Sequence, residues 1–226
     1  MNWRAEFGKG FAAVLPLWLG MLPFAIAYAV AARGAGLSLL ETQYMSVVVF
    51  AGASQFGAAG MFAAGAQPAA IIFTTFLVNL RHMLYGLNLG RGSTLSRSGE
   101  IVAAHLLTDE AFGLTVAAGR RGGPFLIGAG TSVFVIWNAG TLAGSLLSGA
   151  IPDPVALGVD FVFPLAFLAL LLPLLRDRPA WTVALVCTVL ALVLSRFTSA
   201  GVMITVTGVA GSLLGAWLTR GGEAER

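Results

Sequence analysis

Charge is scarce in this chain. Only 10% of its 226 residues are Asp, Glu, Lys or Arg, against roughly 25% in a soluble domain, while 58% are hydrophobic and the mean hydropathy is +0.88. That composition excludes a soluble module and requires an integral membrane protein. Cysteine is nearly absent: Cys187 alone allows no intrachain disulfide and no cysteine metal cluster, and inside an apolar run it reads as packing. The net charge of +3 and pI near 9.6 do not point to nucleic acid, because the basic residues fall one or two to a loop and form no patch. No phosphate loop or nucleotide-binding motif is present, so any work on a solute must draw on an ion gradient. The alternating, turn-punctuated pattern of a barrel is missing too.

What is there is a series of apolar runs, each near the ~20 residues a helix needs to cross a bilayer. They predict an all-α, polytopic helical membrane protein, a single transmembrane domain over 1–226 with six to eight crossing or re-entrant helices. The first run, 11 to 32, is too long for a signal-peptide core and reads as an uncleaved span kinked by Pro16 and Pro23. The second, 43 to 65, contains FAGASQFGAAG, whose small residues let another backbone approach or let the helix break. GAQP at 65–68 is a turn, and only twelve residues after it Arg81 appears, roughly 18 Å into a ~30 Å core. The run 101 to 118 carries His105, Asp109 and Glu110 and cannot face lipid; the first two, four apart, are expected on one helical face. Runs at 125–147, 155–175, 180–195 and 201–219 follow, with Asp160 near the start of the second, Pro164 and Pro173 within it, and Arg196 at a hairpin tip.

Basic residues test the topology. Eight crossings place Arg4, Lys9, Arg120, Arg121, Arg176, Arg178, Arg220 and Arg226 inside and Arg33, Arg91, Arg97 and Arg196 outside, eight against four with Arg81 in the membrane. If 43–65 and 101–118 re-enter, six helices cross, Arg91 and Arg97 move inside, and the balance becomes ten against two. Both arrangements put the termini in the cytoplasm, and the side on which Ser93 lies separates them. At an offset of 84 residues Phe50, Gly60, Gly65, Ala66 and Pro68 match Phe134, Gly144, Gly149, Ala150 and Pro152, the trace of a possible inverted repeat.

The stretch Asn79–Gly86, NLRHMLYG, is the anomaly, because a charge at membrane depth is costly unless it serves a partner or a pathway. Arg81 either snorkels to the interface or offers donors to a carboxylate, aided by backbone donors where the GAS or NLR helices break, with Asn79, Ser54 and Gln55 as further polar groups for a ligand. His82, His105, Asp109 and Glu110 are the titratable candidates for proton coupling, and Asp109 could equally neutralise Arg81. Metal ligation by His82, His105 and Asp109 lacks a ligand spacing, and GASQF around Ser54 is no nucleophile turn.

FAGASQF at 50–56, NLRHMLYG at 79–86 and LTDEAFG at 107–113, in this order and spacing, resemble the azaleucine-resistance AzlC family, the large subunit of branched-chain amino acid exporters. The resemblance implies a non-enzymatic exporter of valine, leucine, isoleucine and sometimes methionine in the bacterial inner membrane. It also implies a small AzlD-type membrane partner and no cofactor. The alternatives are a passive channel, or a subunit whose small partner forms the pathway.

Overall fold

The computed structural model describes residues 2–90, 95–120, 122–148, 168, 171–172, 175–198 and 200–220. Most of the expected span 155–175, with Asp160, Pro164 and Pro173, lies outside them, as do Arg91, Ser93, Arg121, the GAIP turn at 149–152 and Arg226. Among the described residues the chain is helical, with no strand. The helices are α1 (Trp3–Val14), α2 (Trp18–Gly34), α3 (Leu39–Val48), α4 (Gly52–Ala63), α5 (Pro68–Gly90), α6 (Arg97–His105), α7 (Asp109–Ala117), α8 (Pro124–Leu147), α9 (Arg178–Leu194) and α10 (Ala200–Arg220). Among the described residues three segments are long and apolar enough to cross a membrane: Trp3–Gly34, Pro68–Gly90 and Pro124–Leu147.

Proline and glycine set the interruptions. Pro16 lies in a single tight 3-10 turn, Leu15–Leu17, between α1 and α2, where its missing N–H breaks the ladder, whereas Pro23 is carried inside α2. Gly65 takes φ 66° in the turn after α4, and Pro68 opens α5. Arg196 lies in the turn between α9 and α10, which pack on each other with Cys187 half-buried between them, its Sγ 3.7 Å from the Thr207 carbonyl.

The core forms around α8, which α1, α2, α3 and α7 all touch. Glycine makes that approach possible. A Cβ on Gly10 would strike the Phe125 carbonyl, and one on Gly128 the Phe7 carbonyl, so α1 and α8 cross backbone to backbone. Gly140 and Gly144 admit α2 in the same way, at Ala25 and at Ile26.

The two polar-rich runs are each broken in the middle. The α3–α4 segment breaks at 49–51, where Phe50 takes φ 42°. Met45 on α3 packs against the cluster of Ala58 and Met61 on α4 and Ile71 on α5. Were α3 and α4 collinear, Met45 and Ala58 would stand about 20 Å apart. The chain therefore doubles back at Phe50, and Met45 on α3 and the second half of α4 both lie near the start of α5. The α6–α7 segment breaks at Leu106–Thr108. Its start, Leu95–Ser96, flanks Trp3, Pro124 and Ile127, and just beyond its end Arg120 bridges Glu6 at 3.1 Å. Both of its ends therefore sit where α1 and α8 begin. Between the two hairpins α5 runs the length of the bundle, from Ile71 beside α4 to Leu89, whose carbonyl faces Gly122.

Three expectations change. His105 ends α6 and Asp109 starts α7, so a helix break separates them and they share no helical face. The NLR stretch lies inside an unbroken α5, and the second break falls in 101–118 instead. Phe50 sits at a helix break while Phe134 sits within the continuous α8, so the offset of 84 does not pair equivalent elements there.

Candidate functional site

The two hairpin tips meet against the middle of α5 and α8. The Phe50 ring lies 5.0 Å from that of Phe134 and 6.0 Å from that of His105. Each tip presents the start of a helix, where the first N–H groups have no partner within the helix.

The α4 tip carries no charge. Ala51 precedes the helix without a side-chain cap, so Gly52 and Ala53 keep the free donors of a first turn. Gln55, fully buried, turns its Oε1 back to accept from the Ala51 N–H at 3.2 Å and from Trp137 Nε1 at 3.0 Å. Trp137 in turn stacks on Tyr28, whose hydroxyl donates to the Thr42 carbonyl at 3.2 Å. Ser54 donates to Asn79 Oδ1, tying this tip to α5.

The α7 tip is acidic. Thr108 accepts from the Ala111 N–H at 3.3 Å as a cap, and Asp109 and Glu110 occupy the first turn, where the helix dipole favours negative charge. Both oxygens of Asp109 are engaged by α5: Arg81 Nη2 reaches Oδ2 at 2.8 Å and the Tyr85 hydroxyl donates to Oδ1 at 2.7 Å. Arg81 and Tyr85 are four apart, one above the other on the helix. Tyr85 stacks on Phe112 with ring centroids 4.3 Å apart, which fixes the hydroxyl. Arg81 thus pairs with Asp109, yet its Nε is buried without a hydrogen-bond partner among the described residues. A buried charged donor left unmade is expensive, so this atom marks a place for water or ligand.

His82 sits beside Arg81, its Nδ1–H assigned as donating to the Asn79 carbonyl at 3.2 Å, which leaves Nε2 as an acceptor. Between the tips is a small cavity of about 50 Å³, lined by Gly52, Ala53, His82, Thr108, Asp109 and Glu110 together with Met21, Phe24 and Trp137. It has room for one or two waters.

Of the residues expected from sequence, Asn79, Arg81, His82, Ser54, Gln55, Asp109 and Glu110 come together here. His105 stands apart from the Arg81–Asp109 pair, with the rings of Phe50 and Phe134 as neighbours. Among the described residues no three His, Cys, Asp or Glu side chains converge as a metal site. Tyr85, Thr108 and Trp137 were not anticipated; Tyr85 was signalled by its four-residue spacing from Arg81. Also unanticipated is a polar seam between α3 and α8, half-buried at Gln43 and Asn138 and buried at Ser46 and Thr141. In it Gln43 Nε2 donates to Asn138 Oδ1 at 2.9 Å, and the Ser46 and Thr141 hydroxyls lie 2.9 Å apart.

No solved structure matches the chain. A membrane protein of Archaeoglobus fulgidus is 31% identical to it, covering 94% of this chain and 95% of that protein. The inner membrane protein YgaZ of Escherichia coli is 33% identical over 74% of this chain and 73% of its own length. The branched-chain amino acid transport protein AzlC of Bacillus subtilis is 26% identical over 74% and 66%. The family model described as AzlC protein matches residues 16–151, a range that holds both hairpins and every site residue above, and the chain belongs to the AzlC family.

Proposed function

We propose that the chain is a single transmembrane domain, 1–226, and the large subunit of a secondary transporter. It exports branched-chain amino acids, and methionine among related cargo, across the bacterial inner membrane with a small AzlD-type membrane subunit. The printed role of the Bacillus subtilis relative supports the cargo class. The observation that carries the reading is the arrangement of Arg81: a cation held by Asp109, with its Nε buried and unpaired among the described residues, beside an uncharged helix start. A zwitterion fits such a place. Its carboxylate takes the Arg81 fork and the Gly52–Ala53 donors, and its ammonium takes Asp109 or Glu110, so that the cargo exchanges with the internal ion pair. Asn79, Ser54 and Gln55 position these groups.

The two hairpins support a topology of six crossings, with 43–65 and 101–118 re-entering from opposite sides and both termini cytoplasmic. This is the arrangement that the ten-against-two distribution of Lys and Arg favours. Transport is proton-coupled, with Asp109, Glu110 and His82 in the path and His105 at its edge.

Reconstituted vesicles test the reading. Leucine export should saturate, should accumulate leucine against its gradient, and should stop when the pH gradient and membrane potential are collapsed. Flux that neither saturates nor accumulates would make the chain a channel. Full export by a correctly inserted Arg81→Ala variant would refute the site.

A further inference from the structure

In this conformation the central cavity has room for water and not for an amino acid, but a second cavity of about 690 Å³ lies next to it, between α5 and α6. Its volume falls in the usual range for small-molecule sites, roughly 300–1,000 Å³. We infer that this cavity is the vestibule by which an amino acid with an aliphatic side chain enters from the end of the bundle where α8 begins, and that His82 is the wall between vestibule and central site. The proposal rests on the transport reading above and adds the route and its barrier.

Four observations carry it. His82 lines both cavities, and of the α6–α7 tip Leu107 lines the larger and Thr108 the smaller, so the same two elements form the partition from both sides. The larger cavity is bounded by Gly90, Gly122 and Gly123, which places its mouth at the end where α8 starts. Its described walls are apolar, from Leu126 and from Met83 and Leu87, each 59% exposed, and Ala103 and Ala104 keep the facing side of α6 small; among the described residues Glu100 is its one charged lining residue. Aliphatic walls with the Glu100 carboxylate near the mouth suit a zwitterion that carries a branched hydrocarbon, and suit a sugar poorly. Toward the other end the route is shut by the polar seam, in which Ser46 and Thr141 are fully buried and bonded to each other. The described residues are therefore open toward one end and closed toward the other, as alternating access requires.

The test uses the full chain with Cys187→Ser as background, in membrane vesicles of either orientation. Ala104→Cys should react with a charged, membrane-impermeant maleimide from the end where α8 begins, and Ser46→Cys should stay unreactive from both ends. Leucine at ten times its half-saturating concentration should slow the Ala104→Cys reaction about tenfold, by simple occupancy, and glutamate should not. Ala53→Cys, in the central cavity, should be unreactive while His82 is present and gain reactivity in His82→Ala, with unchanged labelling of Ala104→Cys in the same background reporting that the variant is folded. An unreactive Ala104→Cys, or one that leucine fails to protect in a variant that still exports leucine, overturns the vestibule. Equal labelling of Ala53→Cys with and without His82 overturns the partition. If the unsubstituted chain moves no leucine, the transport reading fails by itself, and the ligand-free labelling pattern still decides whether the cavity opens at that end.

Discussion

The two hairpin tips lie against each other and are built on the same plan, a short helix, a three-residue break and a second short helix, but their chemistry is opposite. The α3–α4 tip has no charge, no side-chain cap and a left-handed Phe50, and among the described residues nothing claims the N–H groups of Gly52 and Ala53. The α6–α7 tip is capped by Thr108 and loaded with Asp109 and Glu110. One offers donors and the other acceptors. Both are tied to one helix within two turns, Ser54 to Asn79 and Asp109 to Arg81 and Tyr85. The difference teaches that the site is divided by charge type between two loops of the fold, with α5 setting the gap between them. Movement of either tip along α5 must therefore break a named bond.

The largest effect expected is the loss of the acidic tip's seat. The Leu106 carbonyl lies directly on Gly130, so Gly130→Leu must lift the whole α6–α7 hairpin, at about 3 kcal/mol or more. Nothing approaches within 4 Å of a Cβ at Gly57, behind the uncharged tip, and Gly57→Leu should leave the fold intact. Thermal stability in detergent should separate the two by many degrees; equal Tm values would show that the acidic tip is not seated on α8.

Next comes the ion pair. Arg81→Ala and Asp109→Ala should each abolish leucine export, but the double variant should be no less stable than the worse single one, because each single change strands a charge. Asp109 is 43% exposed, so the coupling energy in a double-mutant cycle should be modest, about 1 kcal/mol. Arg81→Lys should restore stability and not export, since an ammonium has no Nε donor for a carboxylate. Full export by Arg81→Lys would reduce Arg81 to a counter-ion.

Smaller effects distinguish the ties. Ser54→Ala removes the link between the uncharged tip and Asn79 and should cost about 1 kcal/mol. Thr108→Ala, which uncaps the acidic tip, should cost a similar amount. Export should fall more in the Thr108 variant, where Asp109 loses its fixed place, and a larger loss at Ser54 would reverse the assignment of which tip is held in register.

Much of this was legible before any fold was known, and for physical reasons. A charge in an apolar run is expensive wherever the run goes, so Arg81, His82, Asp109 and Glu110 announced themselves. GAQP and Pro16 punctuate the backbone locally and fall where expected. The second break did not: the spacing of His105 and Asp109 fits a helix, while Thr108 followed by two acids is itself a helix-start signal, and the cap won. Hydropathy also cannot tell a doubled-back pair of short helices from one that crosses, since both need about the same number of apolar residues. The glycines of α8 and the pairs Gln43–Asn138 and Ser46–Thr141 depend on which helices meet, a tertiary fact carried by no local pattern.

The outer ends of the two hairpins extend the comparison and give the smallest prediction. At the start of α3, Ser38 and Glu41 form a full capping box, Ser38 accepting from the Glu41 N–H at 3.2 Å and Glu41 Oε2 accepting from the Ser38 N–H at 2.7 Å. At the start of α6, Ser96 accepts from the Gly99 N–H at 3.3 Å, and glycine at that position can return nothing. Hydrogen bonds from the backbone and then the side chain of Ser38 hold the Glu41 carboxyl below its usual range. A carboxyl depressed in the folded state contributes stability that is complete above its unfolded pKa and fades as pH falls through its folded one. Acidification through the carboxylate range should therefore loosen the start of α3 and leave the start of α6 unaffected by this route. Amide exchange at Leu39–Gln43 against pH would read it, and Glu41→Gln should flatten the dependence. A dependence that persists in Glu41→Gln would mean that other carboxyls govern the acid response of the first hairpin.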